Sequence, residues 1–157
     1  MKKSYKQTLT NLQQYENKIH FGTKGIVEQD WIDYVEQELN FKLPESYKWM
    51  SKELEFIAFD NDYIKRIAPF ELLDLTDYDI LDSYKKNIKK GILNEDELSI
   101  LDLDDEIYYF KIEGKLKDNE YKVYIRDYHS ENDDKIYADN FLEFLENKIK
   151  EYSGREL

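Results

Sequence analysis

The sequence predicts an α+β fold: a mainly antiparallel or mixed central sheet packed by N-terminal helices, a middle helix and a C-terminal helix. Three observations carry that expectation. Apolar residues recur at helical spacing near the start, middle and end of the chain; short apolar or alternating runs lie between; and Gly114–Asn119, between the last two runs, is polar enough to be a hairpin connection. The order helix, helix, strands, helix, strands, helix follows.

Composition bounds the class. A chain of 157 residues is the size of one domain and can bury a core without staples. Hydrophobic residues make up 41% and charged residues 37%, the mark of a soluble and not a membrane chain, and 14 Tyr with 8 Phe argue against disorder. With no cysteine, disulfides, Cys-ligated zinc and thiol nucleophiles are excluded, and a reducing cytoplasm fits. Met1–Gln14 has neither an apolar core nor a cleavage site, so a cytoplasmic location is expected, without secretion or membrane insertion. The net charge of −12 repels phosphate backbones and anionic lipid, so neither nucleic acid nor membrane is an expected partner. Residues 1–25 hold Lys2, Lys3, Lys6, Lys18 and Lys24 against Glu16, which is +4 and leaves −16 for the rest. Such a field attracts basic proteins, although an acidic surface also simply keeps a protein soluble.

The elements follow in order. Tyr5, Leu9, Leu12, Tyr15 and Ile19 have helical spacing and predict a first helix ending at His20-Phe21-Gly22. Trp31, Ile32, Val35 and Leu39 form one stripe of a second helix, which Asn40 can end in the left-handed conformation. Phe41 and Leu43 then alternate with Lys42 as an extended connector. Pro44 reopens a helix at its first position, where no N–H is needed, and Glu45 suits the positive end of the dipole. Tyr47, Met50 and Leu54 give that third helix its inward face.

Phe56–Phe59 and Ile64–Ile67 predict two strands around the polar turn Asp60-Asn61-Asp62, and Phe70–Leu73 is another short apolar segment after Pro69. From Asp77 a helix is expected, with Ile80, Leu81, Tyr84 and Ile88 on one side, acid in its first turn, Lys85, Lys86, Lys89 and Lys90 near its end, and Gly91 as its stop. Leu98–Leu101, Ile107–Ile112 and Tyr121–Tyr128 predict three strands. Asn140–Tyr152 predicts a final helix that buries Phe141, Phe144, Leu145 and Ile149, with Asn140 and Glu143 spaced as a capping box.

The combination of Glu36, Leu39, Leu43, Pro44, Tyr47 and Lys48 resembles the N-terminal signature of the SUKH superfamily, also called Smi/Knr-type. Ala138-Asp139-Asn140-Phe141-Leu142-Glu143-Phe144-Leu145 resembles the helix that closes its C-terminal half. The likeness covers about 27–151 and implies one SUKH-like domain over 1–157. It departs at Lys52-Glu53-Leu54-Glu55-Phe56, where many relatives place an Asn-Gly-Gly-like turn. The resemblance implies an immunity protein of a bacterial polymorphic toxin system, which neutralises the C-terminal domain of a cognate secreted toxin. Such toxins are often nucleases with basic surfaces, and an acidic protein can occlude the surface that binds substrate. The alternative is a noncatalytic regulatory scaffold, related to the yeast regulator of cell-wall synthesis.

No catalytic set rises from the residues. His20 and His129 are the only histidines, and both are expected in capping or loop roles. A Gly-rich phosphate loop and HExxH are both absent. The chain is therefore expected not to be an enzyme and to hold no cofactor or metal. Three acidic groups remain as candidate toxin-binding residues: Asp60 and Asp62; Asp102, Asp104, Asp105 and Glu106; and Glu131, Asp133 and Asp134. Solvated loops, toxin contact and Ca²⁺ or Mg²⁺ ligation stay open for them, without an EF-hand frame. Tyr108, Tyr109 and Tyr124 are candidate aromatic anchors or core residues. Composition leaves the oligomeric state open.

Overall fold

The computed structural model describes residues 5–14, 19–22, 27–67, 78–112, 118–130 and 133–154, with side chains as far as residue 152. In chain order these form α1 (Tyr5–Gln14), β1 (Ile19–Gly22), α2 (Gln29–Leu39), α3 (Glu45–Glu53), β2 (Phe56–Phe59), β3 (Asp62–Tyr63), α4 (Ile80–Lys89), β4 (Glu97–Asp102), β5 (Glu106–Lys111), β6 (Val123–Asp127), β7 (Lys135–Ala138) and α5 (Phe141–Gly154). The fold is α+β, and its strands make two antiparallel sheets, β1-β2-β3 and β4-β5-β6-β7. The expected central sheet divides because β3 pairs only two residues with β2 before the chain leaves that ladder. Lys65 N then donates to Ile100 O of β4 at 2.8 Å, a hydrogen bond that joins the two sheets.

The corner between α2 and α3 is held by a buried carboxylate. Ile32, Val35 and Leu39 are buried as their spacing requires, and Asn40 ends α2 at φ 65°. Glu36, on the same face, accepts from Leu43 N at 2.7 Å and pairs with Lys48 at 3.1 Å. One carboxylate thus satisfies the connector's backbone and a cation of the next helix. Pro44 stands at the N-cap of α3, one position earlier than expected, and the helix begins at Glu45. Tyr47 points inward with no exposed surface. Its hydroxyl donates to Lys65 O at 2.7 Å, and its ring meets Phe110 of β5 and Phe141 of α5 edge-on, with centroids 6.1 and 5.5 Å away.

Several local expectations change. Ile19–Gly22 is not the end of the first helix but β1, paired with β2 from Ile19↔Phe59 to Gly22↔Phe56. His20 therefore lies exposed on a strand, and not at a helix end. Ile64–Ile67 is not a strand of the first sheet; Ile64 and Ile67 enter the core, and Arg66 forms a parallel bridge with Asp79. β7 was not expected. The segment Phe70–Leu73 lies outside the described residues, as does Asp77; α4 is capped by Asp79, whose carboxylate accepts from Asp82 N at 2.9 Å. Gly91 follows α4 at φ 72°.

Where relatives were expected to turn on glycine after α3, Leu54 is extended (φ −117°, ψ 135°) and leads directly into β2. The close approach occurs instead at Gly22, whose oxygen accepts from Glu55 N at 2.8 Å. A Cβ on Gly22 would lie 2.9 Å from Glu55 Cβ, so only glycine fits without movement.

On the inner face of the second sheet, Tyr108 and Phe110 pack with Phe141, Phe144, Leu145 and Ile149 of α5. Glu143 N donates to Asn140 Oδ1 at 2.9 Å, the expected cap of that helix. The outer face carries a smaller buried group of Leu93, Ile107 and Tyr109.

Tyr47→Phe should cost about 1–2 kcal/mol by leaving Lys65 O without its donor. Tyr47→Ala should cost about 3–5 kcal/mol through the cavity it leaves. Urea unfolding of both variants measures these values, and a Tyr47→Phe protein as stable as wild type would deny the hydroxyl its role.

Candidate partner-binding surface

The acidic groups separate once side chains are placed. The turns β2–β3 and β4–β5 come together at one end of the molecule. Asp60 is exposed at the first turn with φ 55°, and Asp62 is half-buried beside it. Burial and the neighbouring Asp104 and Asp60 carboxylates raise the pKa of Asp62 above its usual 3.8, against the opposing pull of Lys148. Asp102, Asp104 and Asp105 are exposed along the second turn, and Glu106 opens β5 directly opposite Asp127 of β6. Like charges in that cross-strand position repel.

Tyr128 and His129 complete this end. Tyr128 is 42% exposed; its hydroxyl donates to Asp102 Oδ1 at 3.2 Å, and its N–H donates to Asp105 O at 3.0 Å. Burial, then the Asp102 carboxylate, pushes its phenol up to about 12, so the ring stays neutral and donating. His129 Nε2 lies 3.0 Å from Asp105 Oδ1. An exposed aromatic face between carboxylates has the chemistry to receive a lysine or arginine side chain. The sequence places Tyr128 last in the expected strand Tyr121–Tyr128, beside a charged run, whereas β6 ends one residue earlier at Asp127.

Behind the acidic end, Lys148 is buried with 2% of its surface exposed. Its ammonium donates to Tyr108 OH at 2.6 Å and Glu151 Oε2 at 3.1 Å and lies 4.0 Å from the Tyr108 ring centroid. Tyr108 OH in turn donates to Glu106 Oε1 at 2.7 Å. Glu106 is therefore anchored from below and not a loose surface acid.

The third group divides. Asp133 is exposed, whereas Glu131 lies outside the described residues. Asp134 turns to the outer face of the sheet, where Arg126 Nε donates to it at 2.9 Å and the Tyr109 hydroxyl also donates. Burial works against its charge, but these hydrogen bonds prevail and hold its carboxyl below the usual value. The same guanidinium reaches Ile92 O and pairs with buried Glu97 at 3.4 Å. Asp134 is thus tied to the fold. Tyr108 and Tyr109 are buried, and Tyr124 stacks on Tyr109 with centroids 5.8 Å apart, which makes core residues of the first two.

A separate concavity lies where α1, α3 and α5 meet residues 118–120. Among the described residues this groove, of about 910 Å³, is lined by Tyr5, Ser46 and Leu142 among others, with carboxylates from Glu45, Asp118, Glu120, Asp139, Glu143 and Glu146 and one lysine, Lys150. Asp118 and Asn119 are both left-handed, at φ 55° and 63°, a conformation Asp and Asn tolerate better than most residues. The turn so formed lets Asn119 O accept from Glu45 N at 3.0 Å, while Glu120 accepts from Ser46 N at 3.1 Å and from its hydroxyl. Glu120 therefore caps α3 from 74 residues away, a distance that hides it from sequence reading.

Among the described residues, no three His, Asp or Glu side chains are grouped as metal ligands, and no helix is long and apolar enough to cross a membrane. A family model designated SUKH_6 and described as SMI1-KNR4 cell-wall matches residues 29–145, more than half of the chain. The search of curated proteins returns no match.

An acid whose pKa rises on folding adds stability only while protonated, so its contribution is complete below the unfolded value and lost as pH rises through the folded one. Asp62→Asn should therefore raise the melting temperature near neutral pH, with the gain vanishing below pH ~3.5. Thermal unfolding at the two pH values tests this, and an equal gain at both would refute the electrostatic cause.

Proposed function

From the premise that this chain belongs to the SUKH superfamily, we propose that it is an immunity protein that binds and neutralises a cognate secreted toxin domain. Members of the superfamily commonly act in this way, and that membership is the observation that carries the proposal. The chain acts as a noncatalytic binder in the cytoplasm of the toxin-producing bacterium, without cofactor. The chemistry of the acidic end suits a basic partner such as a nuclease. Asp60, Asp62, Asp102, Asp104, Asp105 and Glu106 supply the negative surface, and Tyr128 supplies an aromatic face among them.

Occlusion follows from ordinary electrostatics. A nuclease gathers lysines and arginines to hold phosphate, and a carboxylate surface competes for those same groups. The net charge of −12 steers the encounter, while short-range contacts at Tyr128 and the anchored Glu106 set the lifetime of the complex. Asp134 contributes only indirectly, since Arg126 already occupies it.

The description of the matching model names the cell wall. That favours, as the second possibility, a regulatory scaffold of the kind found in yeast cell-wall control.

Co-expression with the C-terminal domain of the toxin encoded beside this gene should restore growth and yield a stable complex. Failure of both would reject immunity against that toxin. Asp102→Lys with Asp104→Lys and Asp105→Lys should slow association by roughly tenfold or more at low salt and flatten its salt dependence. Stopped-flow mixing across a salt series measures both effects, and unchanged rates would remove the acidic end from the mechanism.

A further inference from the structure

The groove between α1, α3 and α5 has a charge arrangement that packing does not explain. Some of its carboxylates have structural partners: Glu120 caps α3, Glu146 accepts from Asn11 Nδ2 at 2.7 Å, and Glu45 lies 3.6 Å from Lys48. Asp118, Asp139 and Glu143 differ. Their carboxylates make no ion pair or side-chain hydrogen bond among the described residues, yet all three line the same concavity. The N-terminal ends of α3 and α5 offset part of this charge. Among the described residues, six carboxylates against one lysine still leave the groove strongly negative, in a concave wall that concentrates the field.

The groove also offers apolar surface. The Tyr5 ring, stacked on Trp49 with centroids 4.8 Å apart, forms one side, and half-buried Leu142 forms another. Acid beside fixed hydrocarbon matches the two parts of a lysine or arginine side chain, a charged head on an aliphatic stem.

We propose that this groove seats a lysine- or arginine-bearing amphipathic segment of a protein partner, its aliphatic surface against Tyr5 and Leu142 and its cations on Asp118, Asp139 and Glu143. The assignment rests on the partner-binding function proposed above and adds a second contact to it. The groove runs along one face of α5, from Leu142 to Lys150.

The test uses the full chain and two synthetic peptides of equal charge, one alternating lysine with leucine and one alternating lysine with serine. Fluorescence anisotropy should show the leucine peptide binding more tightly. Asp118→Asn with Asp139→Asn and Glu143→Gln should weaken it by roughly tenfold, the summed effect of exposed charge pairs. Asn is chosen at position 118 because it tolerates the left-handed backbone there, and circular dichroism verifies folding. If the triple variant misfolds, Leu142→Ser alone should abolish the preference for leucine over serine. Amide chemical-shift changes should centre on Tyr5, Ser46 and Leu142.

Equal binding of the two peptides, unchanged affinity in the folded triple variant, or shifts centred on Asp102–Glu106 would each overturn the groove assignment. So would sedimentation showing that a second copy of the chain fills it. Toxin rescue by wild type is a separate arm. Rescue that persists with no loss of toxin affinity in the folded triple variant rejects the groove as a toxin contact and leaves immunity standing. Peptide binding at the groove without toxin rescue preserves the seat and rejects immunity against that toxin.

Discussion

Tyr47 is the point at which the two halves of the molecule meet. Its hydroxyl binds the carbonyl of Lys65, in the segment that leaves the first sheet, and its ring packs edge-on against Phe110 of the second sheet and Phe141 of α5. A buried phenol must satisfy its hydroxyl as well as its ring, so the carbonyl and the aromatic wall have to be correctly placed together. The α2–α3 corner sets that placement. Glu36 fixes Leu43 N and Lys48, and Pro44 starts α3 in a direction that turns Tyr47 inward. The family signature is therefore a folding device, with Glu36 and Tyr47 spent entirely inside.

Much of this was legible because it is local. The stripe of α2, the left-handed Asn40, the inward face of α3 and the cap at Asn140 depend on residues within a few positions of one another. β1 was hidden because Ile19 continues the helical spacing of Leu9 and Leu12, while its pairing with Phe59 is 40 residues distant. β7 was hidden because Lys135–Ala138 is short and follows a charged run. Ile64 and Ile67 were apolar for a reason other than pairing: they fill the core after β3 has ended. Propensity describes what a segment can be, and long-range pairing decides among the possibilities.

The candidate surface was less legible for the same reason. Sequence identifies carboxylates without showing what faces them. Asp133 and Asp134 are neighbours in the chain, yet the first is exposed and the second is held by Arg126 and Tyr109. The groove is more deeply hidden, since Tyr5, Ser46, Asp118 and Leu142 come from four separate segments. Tyr128 was visible as a residue type but not as the exposed ring between Asp102 and Asp105.

These placements divide the acidic residues by physical cause. Glu36, Glu97, Glu120 and Asp134 each satisfy a backbone donor or a cation, and removing any of them would cost that group a hydrogen bond or ion pair. Asp62 does the opposite: burial first, then the nearby Asp104 and Asp60 carboxylates, raises the cost of charging it. Glu106 stands opposite Asp127 across the strands, a like-charge pair, while the Tyr108 hydroxyl holds it in place. Folding alone would favour neutralising Asp62. A cationic partner of the kind proposed would reverse the sign there, because the arriving charges would offset the repulsion on complex formation. On the proposed docking surface, Asp62 is thus the carboxylate whose charge the isolated protein opposes.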